Sequence, residues 1–227
     1  MKNKLIIMLT FASFGFINAN AQTEDFRKLA HFDKISTKEG YDIFLTQGTT
    51  ESVKIVTENI SPGQIITNVS GGTLMIGTKK GKYPNTSVKI YITFIEINSV
   101  ISYGGGKIEF SPFKANTLSL KIVGSSAMKV PVEVNKLNIF SSGSGIVELT
   151  GKAENADIEL SGSGKINALN LALNKCDIKL TGSGTANLNV RANLQVNSSG
   201  SGNVYYKGKP ATKEINRTGS GNVEFIP

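Results

Sequence analysis

One four-residue phrase, recurring at a near-constant interval, limits what this chain can fold into. Ser-Gly-Ser-Gly occupies 142–145, 161–164 and 199–202, and Thr-Gly-Ser-Gly occupies 181–184 and 218–221. A weaker copy, Val123-Gly124-Ser125-Ser126, precedes them. The first glycines are Gly124, Gly143, Gly162, Gly182, Gly200 and Gly219, spaced 19, 19, 20, 18 and 19 residues apart. A unit this short cannot enclose a core of its own. Repeats of this period stack as the coils of a solenoid, each burying its apolar face on its neighbours.

The segments flanking each phrase alternate apolar and polar residues with period two, the pattern of strands with one buried face. Before the glycine stand Leu137-Asn138-Ile139, Ala156-Asp157-Ile158, Cys176-Asp177-Ile178 and Leu194-Gln195-Val196. After it stand Val147-Glu148-Leu149, Ile166-Asn167-Ala168, Ala186-Asn187-Leu188, Val204-Tyr205-Tyr206 and Val223-Glu224-Phe225. In a stacked array, Leu137/Ala156/Cys176/Leu194 and Ile139/Ile158/Ile178/Val196 become inward columns. So do Val147/Ile166/Ala186/Val204/Val223 and Leu149/Ala168/Leu188/Tyr206/Phe225. A flexible linker also has the composition Ser-Gly-Ser-Gly, but a linker has no reason to recur at fixed period between patterned strands. The six glycines are therefore structural corners, with flanking Ser and Thr side chains expected to form hydrogen-bonded ladders along the stack. Short polar connections at 151–155 and 169–174 carry a second corner. The fold class is all-β: a single-stranded parallel β-helix, or β-solenoid, with coils of about 19 residues. The spacing does not give the hand; the chirality of crossover connections favours a right-handed one.

The first third is β-rich but irregular. Candidate strands at 41–46, 52–57, 64–69, 73–77 and 88–94 are separated by turn signals such as Ser61-Pro62-Gly63 and Ser70-Gly71-Gly72. Ser102-Tyr103-Gly104-Gly105-Gly106 lies about one period before Gly124 and is a candidate first corner. Residues 22–100 are expected to form a cap or irregular coils and 101–227 the regular solenoid, the two continuous as one domain. The chain ends abruptly at Phe225-Ile226-Pro227, which makes that end, or a flat side of the solenoid, a candidate surface for homo-oligomerisation.

Residues 1–21 have the layout of an export signal. Lys2 and Lys4 precede an apolar run, Leu5 to Ile17, and Ala19-Asn20-Ala21 is a small-x-small cleavage site. The alternative is a retained anchor, but a membrane span needs about 20 apolar residues. Cleavage before Gln22 removes two lysines and leaves 23 basic against 17 acidic side chains. That balance is mildly positive, and aromatics are not interleaved with the lysines, which argues against nucleic acid as partner. After cleavage no membrane span is expected, and the location is the periplasm, outer-membrane surface or cell exterior. The single cysteine, Cys176, falls in an apolar column and is expected to be a core side chain. One histidine and one cysteine cannot build an ordinary zinc site, and no metal or cofactor is expected.

Several stretches together resemble the auto-transporter adhesin head (GIN) domains, exported proteins of Bacteroidetes and related bacteria. They are Phe32-Asp33-Lys34-Ile35 with Asp42-Ile43-Phe44-Leu45-Thr46-Gln47-Gly48, Leu74-Met75-Ile76, the Ser-Gly-Ser-Gly coils, and Tyr205-Tyr206-Lys207-Gly208-Lys209-Pro210 before Gly219-Ser220-Gly221. The likeness runs over about 30–227. It implies an exported β-helix-like domain with an adhesin-like role, and it brings no catalytic residues.

Stacking places equivalent outward residues beside one another, so outward columns are where chemistry can collect. Asn138, Asp157, Asp177 and Gln195 share one column, in which Asp157 and Asp177 could raise each other's pKa or hold a calcium ion. Two solvated acids are the plainer reading, helped by an expected Glu159–Lys179 pair on the next column. Tyr205 is expected to be exposed beside the corners. Lys79, Lys80 and Lys82 form the densest basic cluster, suited to anionic sugars or lipopolysaccharide, or simply a solvated loop. A polysaccharide-cleaving enzyme on this fold would want several acids in a groove and aromatic platforms. The chain has no tryptophan, so that alternative is the weaker one. The expected function is non-enzymatic: a cell-envelope module binding a polysaccharide, another cell-surface component or a protein partner. A purely structural envelope role is the third possibility.

Overall fold

The computed structural model describes residues 22–227, and the expected export signal at 1–21 lies outside the described residues. Seventeen strands form in chain order: β1 (Thr23–Lys28), β2 (Lys34–Thr37), β3 (Asp42–Gln47), β4 (Ser52–Glu58), β5 (Ile65–Ser70), β6 (Thr73–Thr78), β7 (Ser87–Phe94), β8 (Ser99–Ser102), β9 (Lys107–Phe110), β10 (Phe113–Gly124), β11 (Ala127–Gly143), β12 (Ile146–Gly162), β13 (Lys165–Gly182), β14 (Thr185–Gly200), β15 (Asn203–Lys207), β16 (Thr212–Thr218) and β17 (Val223–Phe225). They build a β-solenoid of about 7 turns with roughly 19-residue spacing.

In the regular part, β11 to β14 each run from one glycine phrase to the next and pair in parallel with the following coil. The register carries Gly124 onto Gly143, then Gly162, Gly182 and Gly200. The 20-residue interval ending at Gly182 is absorbed by a register shift between Glu148 and Thr150, where one extra residue bulges from β13. A constant corner therefore survives an uneven repeat.

Gly162 shows why the corner takes glycine. Its φ is 111°, and a Cβ there would lie 2.7 Å from the carbonyl oxygen of Gly143 one coil below. Gly104 takes the same place beneath Gly124, as the candidate first corner requires. The ladder at these corners is mainly a backbone one, not the Ser/Thr side-chain ladder expected from the sequence. The N–H groups of Ser144, Ser163 and Ser201 each donate 2.9 Å bonds to Gly124, Gly143 and Gly182. Side-chain bonds between serines occur at Ser201–Ser220 and Ser102–Ser126. The phrase turns outward, so its hydroxyls face water more readily than they face each other.

All four expected apolar columns point inward, and they belong to one continuous core. Ile178, Leu188 and Val204 are fully buried, and Cys176 is 3% exposed. Only the last residues of two columns are open, with Phe225 at 50%.

The N-terminal third does not stack in chain order. β2 and β3 form a coil lying between two others: β6–β7 on one side and β8–β9 on the other. β4 adds antiparallel to β7, β1 adds antiparallel to β4, and β5 folds back on β6. Arg27 ties these outer strands together. Its guanidinium donates to the carbonyl oxygens of Ile65 and Pro62, both at 2.7 Å, and to Thr67 Oγ1 at 2.8 Å, while Asp25 balances its charge.

The other end is closed by charge. The register continues the columns of Leu194, Val196 and Ser198 into Lys213, Ile215 and Arg217. Lys213 lays its ammonium over the Tyr206 ring and donates to the Tyr206 hydroxyl at 3.1 Å. Arg217 donates to the Gly221 carbonyl at 2.9 Å. Inward-facing cations on a terminal strand discourage edge-to-edge pairing. The end that looks uncapped in sequence thus has a polar cap, because two core positions of the last coil are charged.

Candidate functional site

Three stretches make up each regular coil. One precedes the glycine corner, one follows it, and the third joins them at residues such as 151–155. The candidate residues fall on different stretches and different ends.

Asp157 and Asp177 lie side by side before the corner, in the outward column Ser119–Asn138–Asp157–Asp177–Gln195–Glu214. They line an open depression of about 320 Å³ with Glu214. Asp157 is paired with Lys136 at 3.2 Å. Partial burial, then the carboxylates of Asp157 and Glu214, push the Asp177 carboxyl above its ordinary range. The next column holds the expected pair, Lys179–Glu159, at a loose 3.9 Å. Among the described residues no group of three or more His, Cys, Asp or Glu is placed to hold a metal ion. Beneath the acids, Cys176 is sealed in the core, and burial raises its thiol pKa strongly. A thiol held protonated and covered is not a nucleophile.

Tyr205 lies after the corner, between Asn187 and Glu224. It is half-buried rather than fully exposed. Lys79, Lys80 and Lys82 sit on the loop between β6 and β7, at the N-terminal end. The structure therefore does not gather Asp157 and Asp177, Tyr205, and the lysines into one site.

The third stretch holds what the sequence reading missed. Two adjoining depressions of about 590 and 490 Å³ share Lys114 and Glu133 and form a trough across successive coils. Outward Lys114, Glu133 and Lys152 stand in register, followed by the short Ala172. A methyl group in a column of long side chains leaves a hollow. Lys114 pairs with Glu133 at 3.1 Å, and with Lys152 holds that carboxyl below its usual range. Asn174 donates to Glu154 at 2.5 Å. Lys152 and Arg191 complete the lining, with no ion-pair partner among the described residues. Register shifts blur the period in 169–174, which is why the column was not visible in the sequence.

A second missed feature is an outward aromatic row. Phe26, 71% exposed, lies beneath the Lys54 ammonium, and Tyr91 stacks on Phe44 with centroids 4.9 Å apart. The parallel pairing of β3 with β7 sets Phe44 beside Tyr91, and the antiparallel pairing of β1, β4 and β7 extends the row through Lys54 to Phe26; no local spacing announces those pairings.

The family follows from the coils. A family model described as "Putative auto-transporter adhesin, head GIN domain" matches residues 31–210, the span from the β2–β3 coil through the glycine corner at 199–202 and β15. The chain belongs to this family. Solved structures share the fold. One is a "putative adhesin" from Bacteroides fragilis, 26% identical, with a TM-score of 0.81 over 92% of this chain and 98% of that one. A "putative adhesin" from Parabacteroides merdae is 24% identical, with a TM-score of 0.72 over the same shares. A "Putative lipid binding protein" from Parabacteroides distasonis, also 24% identical, has a TM-score of 0.71 over 92% and 98%. The last two likenesses concern fold alone. No curated protein matches the chain. Among the described residues no helix of this GIN domain is long and apolar enough to cross a membrane.

Proposed function

We propose that this GIN domain is an exported, non-enzymatic module of the cell envelope that holds an extended polysaccharide along the trough of its third stretch. The trough carries the reading. It runs along the stacking direction, and its free cations, Lys152 and Arg191, stand near its middle and its far end. A linear polymer can follow such a track for several coils, with each coil advancing about 4.8 Å. The adhesin names of structural relatives support a binding role. A sealed Cys176 and an Asp157 engaged by Lys136 give little footing for catalysis.

The test is binding of acidic and neutral polysaccharides to the chain from Gln22 onward, which contains every described coil. Lys152→Ala with Arg191→Ala is expected to weaken binding by about tenfold, or about 1.4 kcal/mol. Asp157→Asn is expected to leave it unchanged. Absence of binding across both classes of polymer overturns the proposal. So does release of reducing ends from an acidic polysaccharide that is lost in Asp177→Asn, because that result makes the acid depression an active site.

A further inference from the structure

We infer that the hollow beneath the 79–86 loop is a second binding site, built for an acidic saccharide and independent of the trough. The loop is longer than coil closure requires. The regular corners pass from one strand to the next in two residues, 125–126 or 144–145, whereas eight separate β6 from β7. The extra length is held in place. Lys79 N–H donates to the Gln64 carbonyl at 2.9 Å, and Tyr83 Oη donates to Gln64 Oε1 at 3.1 Å. From the facing turn, Asn59 Nδ2 donates to the Asn85 carbonyl at 2.9 Å. Both asparagines take positive φ, 60° and 54°, to make that link. Gly81 packs on the Tyr83 ring, where a Cβ would come within 2.5 Å. A basic loop that merely faces water needs none of these ties, whereas a binding loop gains affinity from being ordered beforehand.

Below the loop lies a hollow of about 530 Å³, within the size range of small-ligand sites. Tyr41, Thr78 and Tyr83 line it, Lys79 and Lys80 stand on it, and Glu39 is the acid among its lining residues. Neither lysine has an ion-pair partner among the described residues. Lys82, on the same loop, does not line the hollow. Tyr41 shares a short hydrogen bond with Thr78. Burial, opposed by that bond and aided by Glu39, raises its pKa, so its hydroxyl stays protonated. The lining thus combines ammonium groups, hydroxyls and an aromatic ring. A sugar bearing a carboxylate or sulfate presents the matching set: an anion for the lysines, hydroxyls for Tyr41 and Thr78, and an apolar ring face for Tyr83. A bilayer surface is the poorer match, because it is met by protruding apolar side chains rather than by a hydroxyl-lined concavity.

Titration of the 15N-labelled chain from Gln22 with glucuronic acid, glucose and inorganic phosphate tests the inference. Saturable shifts of the Lys79 to Tyr83 amides are expected with glucuronic acid and not with glucose. Lys79→Ala with Lys80→Ala is expected to weaken them by about tenfold, while Lys152→Ala with Arg191→Ala leaves them unchanged. That last pair separates this site from the trough, so either can fail alone. No saturable shift, or equal shifts with glucose, overturns the inference. Phosphate binding as tight as glucuronic acid reduces the site to an adventitious ion only and overturns it too. Binding to phosphatidylglycerol vesicles that is lost in the double lysine variant, without glucuronic acid binding, reassigns the loop to a lipid surface.

Discussion

Asp177 has Asp157 one coil before it and Glu214 two coils after it in the same outward column. The folded chain therefore keeps the Asp177 proton at pH values where the unfolded chain has released it, since the folded pKa is raised from its ordinary 3.8. For an acid shifted upward, stability falls as pH rises through that window, and the loss is complete above the folded pKa. Asp177→Asn keeps the shape and removes the charge. It is expected to melt above the parent at pH 7, with the gap closing as pH drops below the ordinary carboxylate range. Equal melting temperatures at pH 7 would mean that the column places these carboxylates beside one another without consequence. The acid pair, and the upward direction of the shift, were legible from the repeat. The share of Glu214 was not, because it enters the column only through the pairing of β16 with β14.

The glycine corner is a property of the joined strands rather than of one residue. Its backbone sits in a conformation L side chains rarely adopt, and the next coil occupies the space a Cβ would need. Gly162→Ala is expected to destabilise the chain by at least about 1 kcal/mol, read from denaturant midpoints. Gly77→Ala, in β6 with nothing within 4 Å of the added Cβ, is the control, with an expected change inside about 0.5 kcal/mol. Similar losses at both positions would contradict the corner account. This element could be read directly from the sequence, since period and alternation report the same coil. The third stretch could not. Its polar and small residues do not alternate cleanly, and the bulge in β13 breaks its spacing, so the trough appears only when the coils are stacked.

The whole molecule is a stack with two differently treated ends. Arg27 and three antiparallel strands cover the first end. At the second, Lys213 follows Leu194 and Arg217 follows Ser198 on inward columns, while Ile215 and Phe225 remain 36% and 50% exposed. Inward-facing charge on a terminal rung is a known device against edge-to-edge pairing, so these two positions are expected to keep the last rung from templating another chain. Lys213→Val with Arg217→Val makes that rung resemble an interior one. Light scattering is expected to show concentration-dependent association of this variant and not of the parent. A parent that associates equally would mean the polar cap does not protect the edge.

By itself the sequence determined the coil: its length, its glycine bends, which side chains turn inward, and membership of the GIN-domain family. Those features are set by neighbours along the chain, through alternation within a strand and backbone freedom at a corner, so they are written at short range. The tertiary structure alone decided the order of the first coils, with β2–β3 lodged between β6–β7 and β8–β9, and the closing of both ends. It also decided which outward side chains share a hollow. Periodicity says that a residue is buried, but any coil of matching pattern can bury it, and which one does depends on contacts between segments far apart in the chain.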